Sequence, residues 1–584
     1  MPETVSPAVP EIAIDPTRLE VFRNYLAGVA EETWSAIKRC AYSLNIKERG
    51  DCSAAVFDQH GEMIALPNAG VPLHQGSMEG LVEEIVRRYP EETIQPGDIF
   101  ITNDPYSGGA THTPDYCCVA PLFGDHGRIV AYVANVGHHA DVGGRVACSQ
   151  AADNESIFEE GVLIPPVRLC HAGEMIPEVF EIICHNSREP QDRRGDVAAH
   201  IASIRAGLRR LGQILESMGT ERFLAYSAAL LDYSERRMRS LLAALPDGRW
   251  EAEDYLDGDG VGSGPLRFGL VMIKEGGTLT LDWSDVPPQM KSSRNIPLKA
   301  LRATCFAVIR SLLDPGMHLN GGVNRVVTYV APPGSAVNPV HPAAVAERAT
   351  PCQVLADITA TCIGQMIPER AIAAMGAFQG WAFTGIDPRT GKTYANYESI
   401  AGGLGATTFS DGIDAVRGWP AGSMNPPIEA FEQDLPVIVR RYELRQDSGG
   451  AGRFRGGLGM RRDLEIRGHE TRVVAYAMRQ VVAPPGVHGG MPAPKARFVL
   501  NPGTPKEKAL PVVFTNLPVD CGDVISCETP GGGGLGDPRQ RPRELVERDL
   551  ASGLIASESA RRDYGYDPAA TPTTQVSTAK ESLR

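Results

Sequence analysis

Long apolar runs are missing from this sequence. No stretch of about 18 or more apolar residues occurs, so no transmembrane helix is expected. The opening MPETVSPAVPEIAIDPTRLE lacks a basic region followed by an apolar one, so no signal peptide is expected either. None of the 12 cysteines forms a C-x-x-C pair, which argues against a zinc ribbon. Twelve thiols in 584 residues are too sparse for a disulfide framework. They are expected to be reduced and mostly buried, which fits the cytoplasm. A surplus of positive charge is also absent: 57 Lys and Arg against 71 Asp and Glu give a net −14. Nucleic-acid binding needs a basic surface, so no nucleic acid is expected as a partner. There is no G-x-S-x-G elbow, no dinucleotide fingerprint and no P-loop with its Lys-Ser/Thr.

What is present is a soluble composition rich in glycine and long enough for several domains. Apolar positions at helical spacing predict a helix from Leu19 to about Leu44. SAAVFDQHGEMIALP predicts two short strands around a turn, and MEGLVEEIVRRY a short amphipathic helix. GDIFITND is a strand, and CCVAPLF and RIVAYVANV form a hairpin around GDHG. From Pro190, Val197, Ile201, Ile204, Leu208, Leu211 and Leu215 make a heptad seam. With a second helix from about Glu221 to Leu245, they predict a protruding helical arm, expected to meet a partner rather than its own chain. RWEAEDYLDG, LRFGLVMIK and GTLTLDWS are strands, LKALRATCFAVIRSLL a buried helix and DITATCIGQMI another. After about Leu435 short strands and glycine turns predominate. The expected class is a mixed α/β (α+β) multidomain protein. It has an α/β metal-site region at 1–189, a helical arm at 190–246, a central α/β region at 247–430 and a β-rich region at 431–584.

Two clusters carry candidate chemistry. His112 and Asp115 flank Pro114 in THTPD, and Pro holds Thr113 extended, so the pair sits on a turn. His138 and His139 open GHHADVGG one strand later. The predicted hairpin brings the clusters together, and adjacent strand residues face opposite sides, so only one of the two histidines can join His112 and Asp115. A fourth ligand can come from Asp51 or Asp58 at the two ends of the preceding strand. Two histidines and two carboxylates suit Zn, Mn or Fe as a single divalent metal. The competing reading is turn chemistry without a metal. DSGGAGRFRGGLG, with Arg453 and Arg455, could hold a carboxylate or phosphate or could be a solvated turn. TPGGGGLGDP resembles an anion nest, although tight glycine packing explains it better.

NIKERGDCSAAVFD, NDPYSGGATHTPD, GHHADVGG, EEGVLIPP, NSREPQDRRGDVAAHIA, YELRQDSGGAGRFRGGLG and TPGGGGLGDPRQRP occur in this order. On these blocks, nearly end to end, the chain resembles the hydantoinase B/oxoprolinase family. The resemblance implies the B-type subunit of a two-subunit enzyme. An A-type partner would bind ATP, and Mg with it, and phosphorylate a small-molecule substrate; the B-type chain would carry one metal and finish the reaction. It implies metal ligands Asp51, His112, Asp115 and His138, with His139 and Asp141 behind them, and Glu160 is a candidate general base. The metal would activate water or polarise the phosphorylated carbonyl. The leading expectation is ATP-dependent hydrolysis of a cyclic amide (hydantoin, oxoproline or lactam) in a hetero-oligomer such as a dimer of heterodimers. The alternatives are a ketone carboxylase subunit and a non-catalytic organising subunit. THTPD in place of the commoner THLPD, and the segment SDVPPQMKSSRN, leave the substrate open.

Overall fold

The computed structural model describes residues 12–567 except positions 319 and 512. Helix α1 (Pro16–Cys40) begins at Asp15, whose side chain accepts from Arg18 N at 2.8 Å. Pro16 costs nothing there, because an N–H in the first turn has no intrahelical partner. A single turn, α2 (Leu44–Lys47), leads into β1 (Cys52–Asp58) and β2 (Met63–Ala65). After α3 (Pro72–Ser77) and α4 (Leu81–Arg88) come β3 (Ile99–Thr102), β4 (Asp115–Phe123), β5 (Ile129–His138), β6 (Val167–His171) and β7 (Glu174–Met175). They form one antiparallel sheet in the order β2-β1-β5-β4-β3-β6-β7. Strands β1 and β5 are buried along their whole length. Their near-continuous apolar runs reflect cover on both faces.

One face carries α1 and the long α6. The chain reaches them through α5 (Pro177–His185), α6 (Pro190–Met218) and α7 (Thr220–Ala243). Val56 and Val133 from the sheet share a core with Phe22 and Leu26 of α1 and with Val197, Ile201, Ile204, Leu211 and Leu215 of α6. Ala55, Phe57, Tyr132 and Ala134 point the other way, onto Leu81, Val82 and Ile85 of α4. The heptad seam is therefore covered by the chain's own sheet and by α1, and the 190–246 pair is not a protruding arm. Heptad spacing identifies one apolar stripe on a helix and says nothing about what covers it.

A second sheet holds β8 (Gly248–Leu256), β9 (Leu266–Glu275) and β10 (Thr278–Asp282), with β11 (Val327–Val330) parallel to β10. Helices α8 (Leu298–Leu313) and α9 (Ala349–Met366) pack together, α9 against β8 and β9. Helix α8 also meets α3 so closely that a Cβ on Gly76 would lie 2.7 Å from Ala303. The C-terminal part contains β12 (Gln379–Ile386), β13 (Thr393–Ile400), α10 (Ile428–Asp434), β14 (Val437–Leu444), β15 (Met460–Ile466) and β16 (Thr471–Tyr476). Then follow β17 (Arg497–Leu500), β18 (Lys508–Leu510), β19 (Val513–Val519), β20 (Val524–Glu528) and the short α11 (Arg543–Ala551) and α12 (Ser557–Tyr564). Two sheets result, β13-β12-β16-β19 and β14-β15-β20-β17-β18, sharing one core that includes Trp381, Val473, Leu464 and Phe498. Strands β12 and β13, where no strand was expected, thus join strands from beyond position 430 in one sheet.

The glycine-rich segments lie side by side. Gly450 N donates to Gly532 O at 2.9 Å, Gly532 N to Gly457 O at 2.9 Å and Gly457 N to Leu404 O at 2.8 Å. A Cβ on Gly532 would overlap the Leu404 carbonyl. The N–H groups of Gly531 to Gly534 donate to carbonyls of Ser448, Gly457, Ala374 and Met491. No row of free donors is left for an anion, and close packing is what these glycines provide. This weave anchors the segments around 374–378 and 399–406, which border the candidate site.

Candidate metal centre

Three adjacent strand ends build the site. Asp115 opens β4 and lies in register opposite His138, the last residue of β5. His138 N donates to Asp51 O at 2.9 Å, which places Asp51 at the same end of the sheet, just before β1. His112 belongs to the turn entering β4, where Asp115 N donates to His112 O at 3.2 Å. Asp58, the other carboxylate considered, closes β1 at its far end and accepts from His60 N and Glu62 N at 2.9 and 2.8 Å.

His112 Nε2 lies 3.0 Å from Asp115 Oδ1 and 3.2 Å from His138 Nδ1, and His138 Nδ1 is 3.2 Å from Asp115 Oδ1. The three residues can hold a metal ion, since each offers a ligand atom within 4.8 Å of the others. Bonds of about 2.0–2.2 Å to such an ion bring ligand atoms into this range. All three are buried. His112 Nδ1 meets Ala346 O at 2.8 Å, so the proton belongs on Nδ1 and Nε2 keeps a lone pair facing Asp115. Burial first, and Arg348 next, push His112 down to about 3, so its ring is neutral, as a ligand must be. Burial would raise Asp115, but His112, His74 and Arg348 hold it well below the usual carboxylate range. Burial likewise opposes ionisation of Asp51, and His138, Arg49 and His74 together outweigh it. Asp51 is not in the tight triangle; its oxygens lie 3.9 Å from His74 Nε2 and from Arg49 Nη2.

The structure adds residues that the sequence did not single out. His74 of α3 places Nε2 at 3.4 Å from Asp115 Oδ1. Arg348, 233 residues from Asp115, donates from Nη2 to Asp115 Oδ2 at 3.0 Å and from Nε to Thr111 Oγ1 at 2.9 Å. Gln150 reaches His138 Nε2 at 3.0 Å, and the Tyr397 ring lies 5.1 Å from the His138 ring. Asp51, His74, His138, Arg348, Phe378 and Tyr397 border a cavity of about 40 Å³, which Pro420, Ala421 and Ser423 also line. A lone His in VPLHQGS and an Arg in a Pro/Ala-rich loop carried no local signal. A histidine two residues after a helix-opening proline reads equally well as a core residue.

Other expected residues lie elsewhere. The His139 ring turns to the opposite side, against Arg193 Nη1 and at 3.1 Å from His200 Nε2. Its ring touches no candidate ligand, although its N–H ties the hairpin to Pro114 O at 2.8 Å. Burial, then Arg193, holds His139 well below the usual histidine range. Asp141 pairs with Arg188 at 2.7 Å rather than backing a ligand. Glu160 Oε1 accepts from Val345 N and Ala346 N at 2.5 and 2.7 Å. It supports the loop whose Ala346 O holds His112, and so helps position that candidate ligand where a general base was considered. Arg455 is buried against Asp414 and Asp549, while Arg453 is exposed beside the Phe454 ring. Neither borders the metal cavity.

Residues 15–538 match the hydantoinase B/oxoprolinase family. The chain belongs to that family. The B-type chain of a putative D-/L-hydantoinase from Pseudomonas sp. strain NS671 is 30% identical over 568 residues, spanning 94% of this chain and 95% of that one. The crystal structure of an ATP-dependent caprolactamase from Pseudomonas jessenii superposes with a TM-score of 0.89 at 29% identity, covering 95% of this chain and 97% of that one. A nucleotide-free acetone carboxylase shares the fold, with a TM-score of 0.87 at 17% identity over 94% of this chain and 79% of its own. The mixed α/β arrangement is thus shared with that caprolactamase, and within it this chain has a buried His/Asp cluster that could hold a metal ion. No helix among the described residues is long and apolar enough to cross a membrane.

Proposed function

We propose that this chain is the metal-holding subunit of an ATP-dependent cyclic-amide hydrolase and works with an ATP-binding A-type subunit. The observation that carries this is the buried His112–Asp115–His138 triangle in a fold shared with a 29%-identical ATP-dependent caprolactamase. The assembly is a hetero-oligomer, such as a dimer of heterodimers.

A Zn, Mn or Fe ion held by His112, Asp115, His138 and Asp51 would supply Lewis acidity and lower the pKa of water there. The rest falls to the chain's own residues. An amide carbon is a poor electrophile, and phosphorylation of its oxygen on the partner makes that oxygen a good leaving group. Water then adds at the carbon, the C–N bond opens as the ring nitrogen takes a proton, and a second water cleaves the resulting acyl phosphate to the carboxylate and inorganic phosphate. Arg348 borders the cavity as a fixed cation facing the negative charge that develops there. Its Nε and Nη2 are held by Thr111 and Asp115, so it acts without reorganisation. His74 borders the same cavity and is the imidazole placed to pass a proton, a better fit than Glu160. The cavity of about 40 Å³ is far smaller than the roughly 300 Å³ at which small-molecule sites begin. Residues 420–423, held through Pro420 O to Leu73 N and flanked by Met424 N to Arg49 O, have to move for a ring to enter.

The test is to purify this chain with its A-type partner and measure ADP formation with a hydantoin, a lactam, or a ketone plus bicarbonate. ADP formation stimulated by a cyclic amide, with ring opening, is the expected result. Bicarbonate-dependent loss of the ketone would transfer the chain to the carboxylase class. Equal ring opening without ATP would end the phosphorylation scheme.

A further inference from the structure

On the other side of β13 from the metal cavity lies a second one, of about 550 Å³, between residues 42–45 and 188–192 on one wall and residues 387–396 and 434–435 on the other. That volume is within the roughly 300–1,000 Å³ of small-molecule sites. Asn396 lines it, while the next residue, Tyr397, lines the metal cavity. Neighbouring strand residues face opposite sides, so one strand separates the two spaces. Asn45 is in the wall as well, and its Nδ2 points to His138 O at 3.4 Å.

Two features of the wall call for a ligand. Asn396 is 5% exposed and Ser43 4% exposed, yet Asn396 Oδ1 and Ser43 Oγ have no hydrogen-bond partner among the described residues. Leaving such a buried atom unpaired is costly. Around them stand the carboxyls of Glu189, Asp192 and Asp434, none of them in an ion pair among the described residues. The remaining charges at this cavity are mostly committed. Arg188 pairs with Asp141 and Asp387 with Arg389, which leaves the Lys392 ammonium. Burial lifts all three of these carboxyls, Glu189 to about 8, and outweighs the opposing pull of Arg193 on Glu189 and Asp192 and of Lys47 on Asp434.

We propose that this cavity is a second binding site, for a small molecule bearing a primary ammonium group. Asn396 Oδ1, Ser43 Oγ and the carboxyls of Glu189, Asp192 and Asp434 are all acceptors, so the walls favour a cationic ligand rich in N–H donors. Lys392 suits a carboxylate at the other end of the same ligand, so an amino acid fits better than a simple amine. Opening a lactam or oxoproline with water yields such a molecule, with the carbonyl carbon becoming a carboxylate and the nitrogen an ammonium. Assigning the site to product therefore rests on the hydrolase reading; the ammonium preference does not.

Direct calorimetry on the full chain tests the preference without turnover. The probes are 6-aminohexanoate, hexylammonium and hexanoate. Both amines are expected to bind, hexanoate about tenfold or more weaker, and Glu189→Gln and Asp434→Asn are each expected to weaken the amines by about tenfold with metal content unchanged. Hexanoate binding as tightly as the amines would overturn the proposal, as would no amine binding below about 10 mM. Amine binding unchanged in both variants would also overturn it. Ammonium binding with no effect of 6-aminohexanoate on cyclic-amide turnover would keep the site and remove its assignment to product.

Discussion

At the scale of single residues, the two adjacent histidines separate metal binding from structural support. His138→Ala should abolish metal binding and leave the fold largely intact, because its ring meets Asp115, His112, Gln150 and the cavity. His139→Ala should keep the metal and cost about 1–3 kcal/mol, because it removes the partner of Arg193 Nη1 and of His200 Nε2 in a buried layer. Elemental analysis and melting curves of both variants decide it; metal lost only in His139→Ala would reverse the assignment. Arg348→Gln removes the cation on the outer oxygen of Asp115, and metal affinity should fall by roughly 10–100-fold in a chelator competition. Glu160 separates a positioning role from a general base. Folded Glu160 keeps its proton to about 8, whereas the unfolded chain loses it near 4.5. Its contribution to stability is therefore full below the unfolded value and is lost as pH rises through the folded one. Glu160→Gln retains Oε1 for Val345 and Ala346, so its melting temperature should gain on wild type from pH 5 to pH 8 while turnover persists. A fall of turnover by several orders of magnitude would restore the general-base role.

At the scale of elements, the site depends on the hairpin of β4 and β5 and on the helix that covers it. Helix α6 approaches α1 and β5 so closely that a Cβ on Gly207 would overlap the Thr33 hydroxyl and lie 2.8 Å from Val133. Gly207→Val should therefore destabilise the chain by about 1–3 kcal/mol through overpacking. The measurement is denaturant unfolding; an unchanged midpoint would mean that α6 sits further from the sheet. Asn135 also ties β5 to α6, donating to His200 O at 3.0 Å and to Ser203 Oγ at 2.9 Å. The alternating faces of one strand thus carry His138 towards the metal cavity and hold His139 in the α6 layer.

At the scale of the whole molecule, segments far apart in the chain converge on one centre. Asp51, His74, the 112–138 hairpin, Arg348 and Tyr397 come from loops and ends of different sheets and helices. The nucleotide chemistry is expected to reside outside the chain. Isothermal calorimetry of the isolated chain with MgATP should show no tight binding, since no phosphate-cradling Lys motif is present. Tight binding would require the division between the two chains to be redrawn.

The sequence by itself determined most of the elements, the hairpin and the meeting of His112, Asp115 and His138. Strand alternation and a short turn fix where Asp115 and His138 meet, so those relations are local. The family was legible for the same reason, because its blocks are contiguous. Strands β12 and β13 were not, since a run such as QGWAFTGI has no clear alternation apart from its partners. The cover of the α6 seam was hidden too, because an apolar stripe does not name its neighbour. His74, Arg348 and Tyr397 were decided only by tertiary structure. Each is an ordinary residue in its own segment and becomes part of the site through long-range packing that no local spacing encodes, as α3 docks on α8 and the glycine weave fixes β13.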